Sequence, residues 1–394
     1  MTSDISQLGF LLFVSALVAM LSRRLNLPYT VGLVLAGMGL YFSHIYLKWH
    51  LTKELIFSVF LPPLVFEAAL FIRWDALTKD LPAVGLLATI GVLLAAAVTA
   101  VGMYYSVGWD WGSAALFGVL IAATDPVSVI ATFKQSNVPA RLHLLIEAES
   151  LLNDGTAAVA FVTVLAIVTG VHQDAVSIVA SLFVTIVGGI LIGGIVGSVL
   201  MVLAGRTPDY LVEITFTTLA AYGSFLIAEH LGWSGVLATL TAGLVVGNFR
   251  SSSFITMAGR RALEPFWEYA AFVANSLIFL LIGAQEAQQH FKNLAAPVIL
   301  AIVLVTLGRA VAIYPLCAVF RFSRLKIPLR QQHVLVWGGL RGALALALAL
   351  ALPADLPRHD DVVTVTFAVV AFSIFVQGLT INPLLRRLGL VGRE

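Results

Sequence analysis

Charged residues are scarce. Asp, Glu, Lys and Arg together make up 11% of the 394 residues, where a soluble domain carries roughly a quarter. A water-clothed fold is therefore excluded for most of the chain. Cysteine is almost absent, with Cys317 the single one, which excludes an intrachain disulfide and any thiolate-built metal site. The short alternating segments of a membrane barrel do not fill the chain either. The segment Met1-Thr2-Ser3-Asp4 carries no basic stretch of the kind that precedes a cleaved leader. The first apolar segment is thus expected to be a retained span. The formal net charge of +2 says little about partners, and no nucleic acid is expected.

What is present is apolar: 60% of residues are hydrophobic and the mean hydropathy is +0.98. Stretches of the ~20 residues needed to cross a bilayer as helix recur from end to end. The chain reads as an all-α polytopic membrane protein in contact with lipid, with about thirteen transmembrane helices. The spans are expected near 7–22, 29–43, 53–72, 81–106, 112–133, 142–169, 176–204, 210–229, 233–249, 264–284, 293–320, 331–352 and 361–385. Loops are short, and no soluble tail is expected beyond the last span.

Basic residues test this count, because inner loops of membrane proteins are enriched in Lys and Arg. With the N-terminus outside, seventeen of the 23 fall in inner loops or at the C-terminus, among them Arg23, Arg24, Lys134, Arg250, Arg321 and Arg393. Four fall outside: Lys48, Lys53, Lys292 and Arg358. The remaining two, Arg309 and Arg341, lie within spans. The asymmetry supports an odd number of spans, an outer N-terminus and a cytoplasmic C-terminus. Trp49, Trp74, Trp109, Trp111, Trp233 and Trp267 fall near span ends, as interfacial anchors do. Thirteen spans allow two six-span halves of opposite topology around one linker span, the inverted repeat of secondary transporters. The fifth span is interrupted by Pro126. Its counterpart, the twelfth, contains Gly338-Gly339-Leu340-Arg341-Gly342. Matched interruptions point to a binding site on discontinuous crossing helices. The Ala/Leu alternation of Ala343 to Leu352 suggests a strand by period alone, but an open strand in lipid leaves its backbone unpaired, so helix is expected.

Two polar clusters stand out against this background. In Glu149-Ser150-Leu151-Leu152-Asn153-Asp154, helical spacing puts Ser150 and Asp154 on one face and Glu149 and Asn153 on another shared one. Hydroxyl, amide and carboxylate oxygens then converge, which suits a hard monovalent cation. Burial penalises the charged carboxylate, so a proton and a cation can compete for it. A buried Asp merely bonded between helices is the plainer alternative. In Thr124-Asp125-Pro126, the proline removes a backbone donor and disfavours helix at the residue before it. Freed carbonyls such as that of Thr124 can coordinate a cation, while Asp125 can cap the second half-helix. Arg341 needs a counter-charge, and Glu149 is the expected partner. Arg309 is a second core cation, paired with a carboxylate of the same core or snorkelling to an interface. Glu67, Glu213 and Glu229 fall toward span ends, where a capping or partly solvated role is expected. His143 and Glu147 open the sixth span on the inner side. Gly189, Gly193 and Gly197 form a small-residue stripe that suits close helix packing.

Together, Leu61-Pro62-Pro63-Leu64-Val65-Phe66-Glu67-Ala68-Ala69, Ala123-Thr124-Asp125-Pro126-Val127, Glu149-Ser150-Leu151-Leu152-Asn153-Asp154 and Gly338-Gly339-Leu340-Arg341-Gly342-Ala343 resemble the motifs of NhaP-type sodium/proton antiporters, in the family's order. The resemblance implies electroneutral exchange of one Na+ for one H+ by alternating access, in a homodimer with no resident cofactor. Asp154 would be the cation and proton carrier, with Na+ at Asp154, Ser150 and the Thr124 backbone. Asp125 would assist, Asn153 would orient the site, and Glu149 and Arg341 would form a structural pair. It further implies a dimer panel at roughly 1–80 and 176–284 and a mobile ion-transporting core at 81–169 and 293–388, within one transporter domain. Members with Asn before the carrier Asp resemble the electroneutral branch. Where many bacterial relatives read Glu-Gly-Glu-Ser, this chain has Glu147-Ala148-Glu149-Ser150. A K+/H+ antiporter of the same fold is the nearest rival, with Li+ another candidate cargo. A channel lacks its repeated filter segment here. An intramembrane protease lacks the flanking context for paired catalytic Asp residues, and no enzyme activity is expected. A prokaryotic cytoplasmic membrane is the expected location.

Overall fold

The computed structural model describes residues 2–25, 27–43, 51–136, 138–170, 175–249, 255–288 and 294–391. Lys48, Trp49, Arg250, Lys292 and Arg393 lie outside the described residues, as does the side chain of Lys134. Among the described residues all regular structure is helical. In chain order the helices are α1 (Thr2–Leu25), α2 (Tyr29–Phe42), α3 (Lys53–Phe71), α4 (Trp74–Val107), α5 (Trp111–Leu120), α6 (Val127–Ser136), α7 (Ala140–Val168) and α8 (Ala175–Ala204). They continue with α9 (Tyr210–His230), α10 (Gly235–Phe249), α11 (Met257–Glu286), α12 (Ala295–Val319), α13 (Leu329–Trp337), α14 (Ala343–Leu350) and α15 (His359–Arg387). Each expected span has its helix, once α5–α6 and α13–α14 are each taken as one broken span. Among the described residues, nine helices are long and apolar enough to cross a membrane, and α2, α5 and α10 are shorter apolar ones. The Ala/Leu alternation is helical, as α14.

Two helices begin earlier than hydropathy suggests: α4 at Trp74 rather than 81, and α11 at Met257 rather than 264. The added turns carry Asp75, Lys79, Arg260 and Arg261, which lower the apolar average without breaking the helix. Pro82 and Pro265 mark the expected starts because proline favours a first turn, yet both sit inside their helices. Caps do match local sequence. Thr52 accepts from the Leu55 N–H at 3.2 Å, Asp110 from Ser113 at 2.9 Å and Asp209 from Leu211 at 2.9 Å, each satisfying a helix-end donor.

The chain forms two compact units. One comprises Met1–Ile56, Ala83–Asn153 and Asn275–Glu394; the other comprises Phe57–Pro82 and Asp154–Ala274. They are units of compactness and do not coincide with the panel and core expected from the motifs. The boundary falls inside α7, between Asn153 and Asp154.

In the second unit the glycine stripe of α8 packs as expected. A Cβ on Gly189 would lie 2.6 Å from the Ser234 carbonyl, and one on Gly193 would overlap that of Ala238. Phe66, Leu70, Met201 and Trp267 anchor its apolar core. Trp267 is therefore not an interfacial anchor: it is 1% exposed, lies 4.4 Å from the Phe66 ring centroid, and donates to Thr217 Oγ1 at 3.1 Å. Trp109 is likewise buried, whereas Trp74 and Trp111 are exposed. Glu213 caps, as expected, but is fully buried rather than partly solvated. Its Oε1 accepts from the Thr256 N–H at 3.0 Å, just before α11. Glu229 accepts from the Gly235 N–H at 3.1 Å at the start of α10.

In the first unit α4 lies between α5 and α12. Gly118 approaches the Ala96 carbonyl, and a Cβ on Gly308 would lie 2.8 Å from that of Ala95. The end of α11 packs equally closely on α2, where a Cβ on Gly37 would overlap the Leu280 carbonyl. Gly37→Ala is expected to destabilise the protein by ~1–3 kcal/mol through overpacking. On the same helix a Cβ on Gly39 meets nothing within 4 Å, so Gly39→Ala is expected to be neutral or stabilising by up to ~1 kcal/mol. Parallel unfolding curves in detergent check the contrast, and equal effects would contradict the packing account.

Candidate functional site

The site begins with two interrupted helices. α5 ends at Leu120 and α6 starts at Val127; α13 ends at Trp337 and α14 starts at Ala343. Pro126 explains the first break in part, since it disfavours helix at Asp125. The chain nonetheless leaves α-helix at Ile121, five residues before the proline. The two breaks cross: the Asp125 N–H donates to the Leu340 carbonyl at 2.8 Å. Glycine is required for this approach. A Cβ on Gly342 would overlap the Asp125 carboxylate, and one on Gly339 would lie 2.8 Å from Arg309 Nε.

Each break exposes two helix ends with opposite partial charge. The protein meets them with ionised side chains. Asp125 accepts from the Val127 N–H at 3.0 Å and from the Ala343 N–H. It therefore caps α6 and α14 together, one carboxylate at two positive ends. Arg341 Nη1 donates to the carbonyls of Ala122 at 2.7 Å and Ala123 at 3.0 Å, just past the negative end of α5. Arg309 Nε donates to Leu335 at 3.2 Å in the last turn of α13. Three of the four half-helix ends facing the crossing thus lie against a charge of favourable sign on Asp125 or Arg341, and the fourth against Arg309.

The expected Glu149–Arg341 pair is not the one formed. Arg309 takes the Glu149 carboxylate in a two-pronged bridge, Nη1 to Oε1 at 2.7 Å and Nη2 to Oε2 at 2.8 Å. The reason is geometric: the planar guanidinium fork of Arg309 reaches both carboxylate oxygens while its Nε holds α13. Arg341 is spent instead on the broken end of α5. Sequence distance does not distinguish the two arginines, and the snorkelling alternative for Arg309 fails because it is buried.

Around this bridge the polar residues of α7 engage the first break. Asn153 Nδ2 donates to Thr124 Oγ1 at 2.6 Å and to Glu149 Oε1 at 3.1 Å, while its Oδ1 accepts from the Thr124 N–H at 3.2 Å. Ser150 Oγ donates to the Thr124 carbonyl. Thr124, Glu149, Ser150 and Asn153 are all buried. Asp154 follows on the same continuous helix, one turn beyond Ser150, in the second compact unit. Hydroxyl and carbonyl oxygens gathered at an unwound segment can replace water around a hard cation. Sequence reasoning does not find Ser373. Its Oγ accepts from the Arg341 N–H at 3.1 Å, pinning the second break, and its one proton faces the carbonyls of Val370 at 2.8 Å and Arg341 at 3.0 Å. A buried serine opening a π-helical turn at Ser373–Gln377 has no signature in hydropathy.

The bridge assignment gives a direct prediction. Breaking a buried pair from one side costs ~3–5 kcal/mol, so Arg309→Gln and Glu149→Gln should each destabilise strongly and combine with far less than additive effect. Arg341→Gln with Glu149→Gln should show a smaller coupling than the bridged pair. Double-mutant cycles by detergent unfolding decide this, and stronger coupling to position 341 would restore the pair expected from the sequence.

Residues 10–387 match the family described as sodium/hydrogen exchanger, transmembrane. The Na(+)/H(+) antiporter ApNhaP of Aphanothece halophytica is 41% identical over 99% of this chain and 76% of its own length. The Na(+)/H(+) antiporter NhaP of Pseudomonas aeruginosa is 35% identical over 85% of this chain and 81% of its own. The solved structure of the sodium proton antiporter MjNhaP1 from Methanocaldococcus jannaschii superposes with a TM-score of 0.79 at 20% identity, covering 100% of this chain and 99% of that one. At that identity the likeness establishes the fold. By fold, spans and sequence, the chain is an integral membrane protein that belongs to the sodium/hydrogen exchanger family of transporters.

Proposed function

We propose that this protein exchanges Na+ for H+ across a prokaryotic cytoplasmic membrane by alternating access, one for one. Proton and cation compete for Asp154. Ser150 and the Thr124 carbonyl supply further oxygens to the cation, and Asp125 sets the local charge. The N-terminus lies outside and the C-terminus in the cytoplasm, as the basic-residue asymmetry favours. Residues 81–169 and 293–388 act as the moving core, and 1–80 and 176–284 as the panel of a homodimer.

The observation that carries the one-for-one reading is the bonding of Asn153. Its amide donates to both Glu149 and Thr124. A carboxylate at 153 would face Glu149 with like charge and lose both donors. The neighbours of Asn153 thus favour a neutral group, leaving Asp154 as the single exchangeable charge of the Asn153-Asp154 pair. One charge alternately neutralised by H+ or Na+ moves no net charge per cycle.

The test is cation-dependent proton movement in proteoliposomes, with the membrane potential clamped and then varied. Sodium-dependent flux, independent of potential and abolished in Asp154→Asn, is expected. Ser150→Ala should raise the Na+ KM about 5- to 10-fold, the worth of one hydrogen-bonding ligand, with smaller change in kcat. Flux surviving in Asp154→Asn would remove the proposed carrier. Dependence on potential would overturn one-for-one exchange, and activity with K+ alone would change the cargo.

A further inference from the structure

Beside the second break lies a small cavity that the exchange reading does not use. Its polar lining is Arg309, Arg341, Ser373, Gln377 and Thr306, with Gly339 in its wall. It leaves ≈ 10 Å³ for the centre of a water-sized guest, the room of about one water or one small ion. Arg341 spends one nitrogen, Nη1, on two carbonyls. Among the described residues no acceptor meets its Nε or Nη2, and none pairs with the Gln377 side-chain amide. Yet Arg341 is 3% exposed and Gln377 6%. Both side chains line the cavity, where a guest that accepts hydrogen bonds would satisfy these donors.

Charge narrows the guest's identity. Glu149 is taken on both oxygens by Arg309. Asp125 is turned to the amides of Val127 and Ala343. The cavity is lined by the guanidiniums of Arg309 and Arg341 and by no carboxylate, so its local field is positive. A cation is repelled from such a cavity. Water satisfies the donors and leaves the charge; an anion answers both.

We propose that this cavity binds one small monovalent anion of halide size, held by Arg341 and Gln377. The anion is a resident of the core and is not transported. It offsets the positive field of Arg341 close to the carbonyls of Ala122 and Ala123, which immediately precede Thr124. A cation coordinated by the Thr124 carbonyl is then held more tightly when the anion is seated. This consequence rests on the proposed cation site, whereas the anion site itself does not.

Two experiments separate them. Crystals of the full chain grown in bromide should show an anomalous peak within hydrogen-bond reach of Arg341 and Gln377. In proteoliposomes, replacing halide by gluconate should raise the Na+ KM about 5-fold or more, a usual size for coupling between two sites. Gln377→Leu and Gln377→Glu should both retain Na+-dependent flux while losing the bromide peak and the halide dependence. Ordered water with no anomalous signal overturns the anion site, as does a bromide peak that survives both substitutions. A peak with a halide-independent Na+ KM overturns the coupling to the cation and leaves the anion assignment standing.

Discussion

The structure depends on one constraint: a helix broken inside a membrane must find partners within the protein for its exposed ends. Hydrocarbon offers no hydrogen-bond partner, and each backbone group left unsatisfied there costs several kcal/mol. This protein breaks two helices and lets the breaks cross, Asp125 N–H to Leu340 carbonyl. One carboxylate then caps α6 and α14, while Arg341 holds the end of α5 and Arg309 that of α13. The side chains that look most expensive in hydrocarbon are those that make the interruption tolerable. The interruption in turn takes the Thr124 carbonyl out of helical bonding and turns it to Ser150, the kind of unwound-backbone oxygen that the proposed cation site uses.

Much of this is legible in the amino-acid sequence. Hydropathy places the spans, because transmembrane length is set by bilayer thickness and not by tertiary detail. Pro126 and the glycines at 338, 339 and 342 mark both breaks through local backbone chemistry. The polar run from Glu149 to Asp154 stands out because its residue types are costly in an apolar helix. What sequence does not give is partner choice. Glu149 has two arginines available, and only the tertiary structure shows that the fork of Arg309 takes both oxygens. The helix starts at Trp74 and Met257 escape hydropathy because amphipathic turns and internal prolines mimic a boundary. Trp267 reads as an interfacial anchor because aromatic anchors and aromatic cores share composition; burial against Phe66 separates them.

Asn153 links fold and function. It joins the Glu149–Arg309 bridge to the first break, so the residue before Asp154 is part of the scaffold. Ser373 does the same for the second break. Both act by fixing where backbone oxygens point. In the proposed exchange the neutral amide at 153 and the carboxyl at 154 divide the work: the first is bonded to Glu149 and Thr124, and the second carries the exchanged ion.

The central claim is that H+ and Na+ exclude one another at a single carboxyl. The direct measurement is the apparent Na+ KM of proton exchange as a function of pH, with the potential held at zero. Competition predicts that KM rises about tenfold for each pH unit below the pKa of the carrier, because each proton bound removes one cation site. The maximal rate at saturating Na+ should stay nearly constant over the same range. A KM independent of pH, with the maximal rate alone titrating, would contradict the claim and place proton and cation on separate groups.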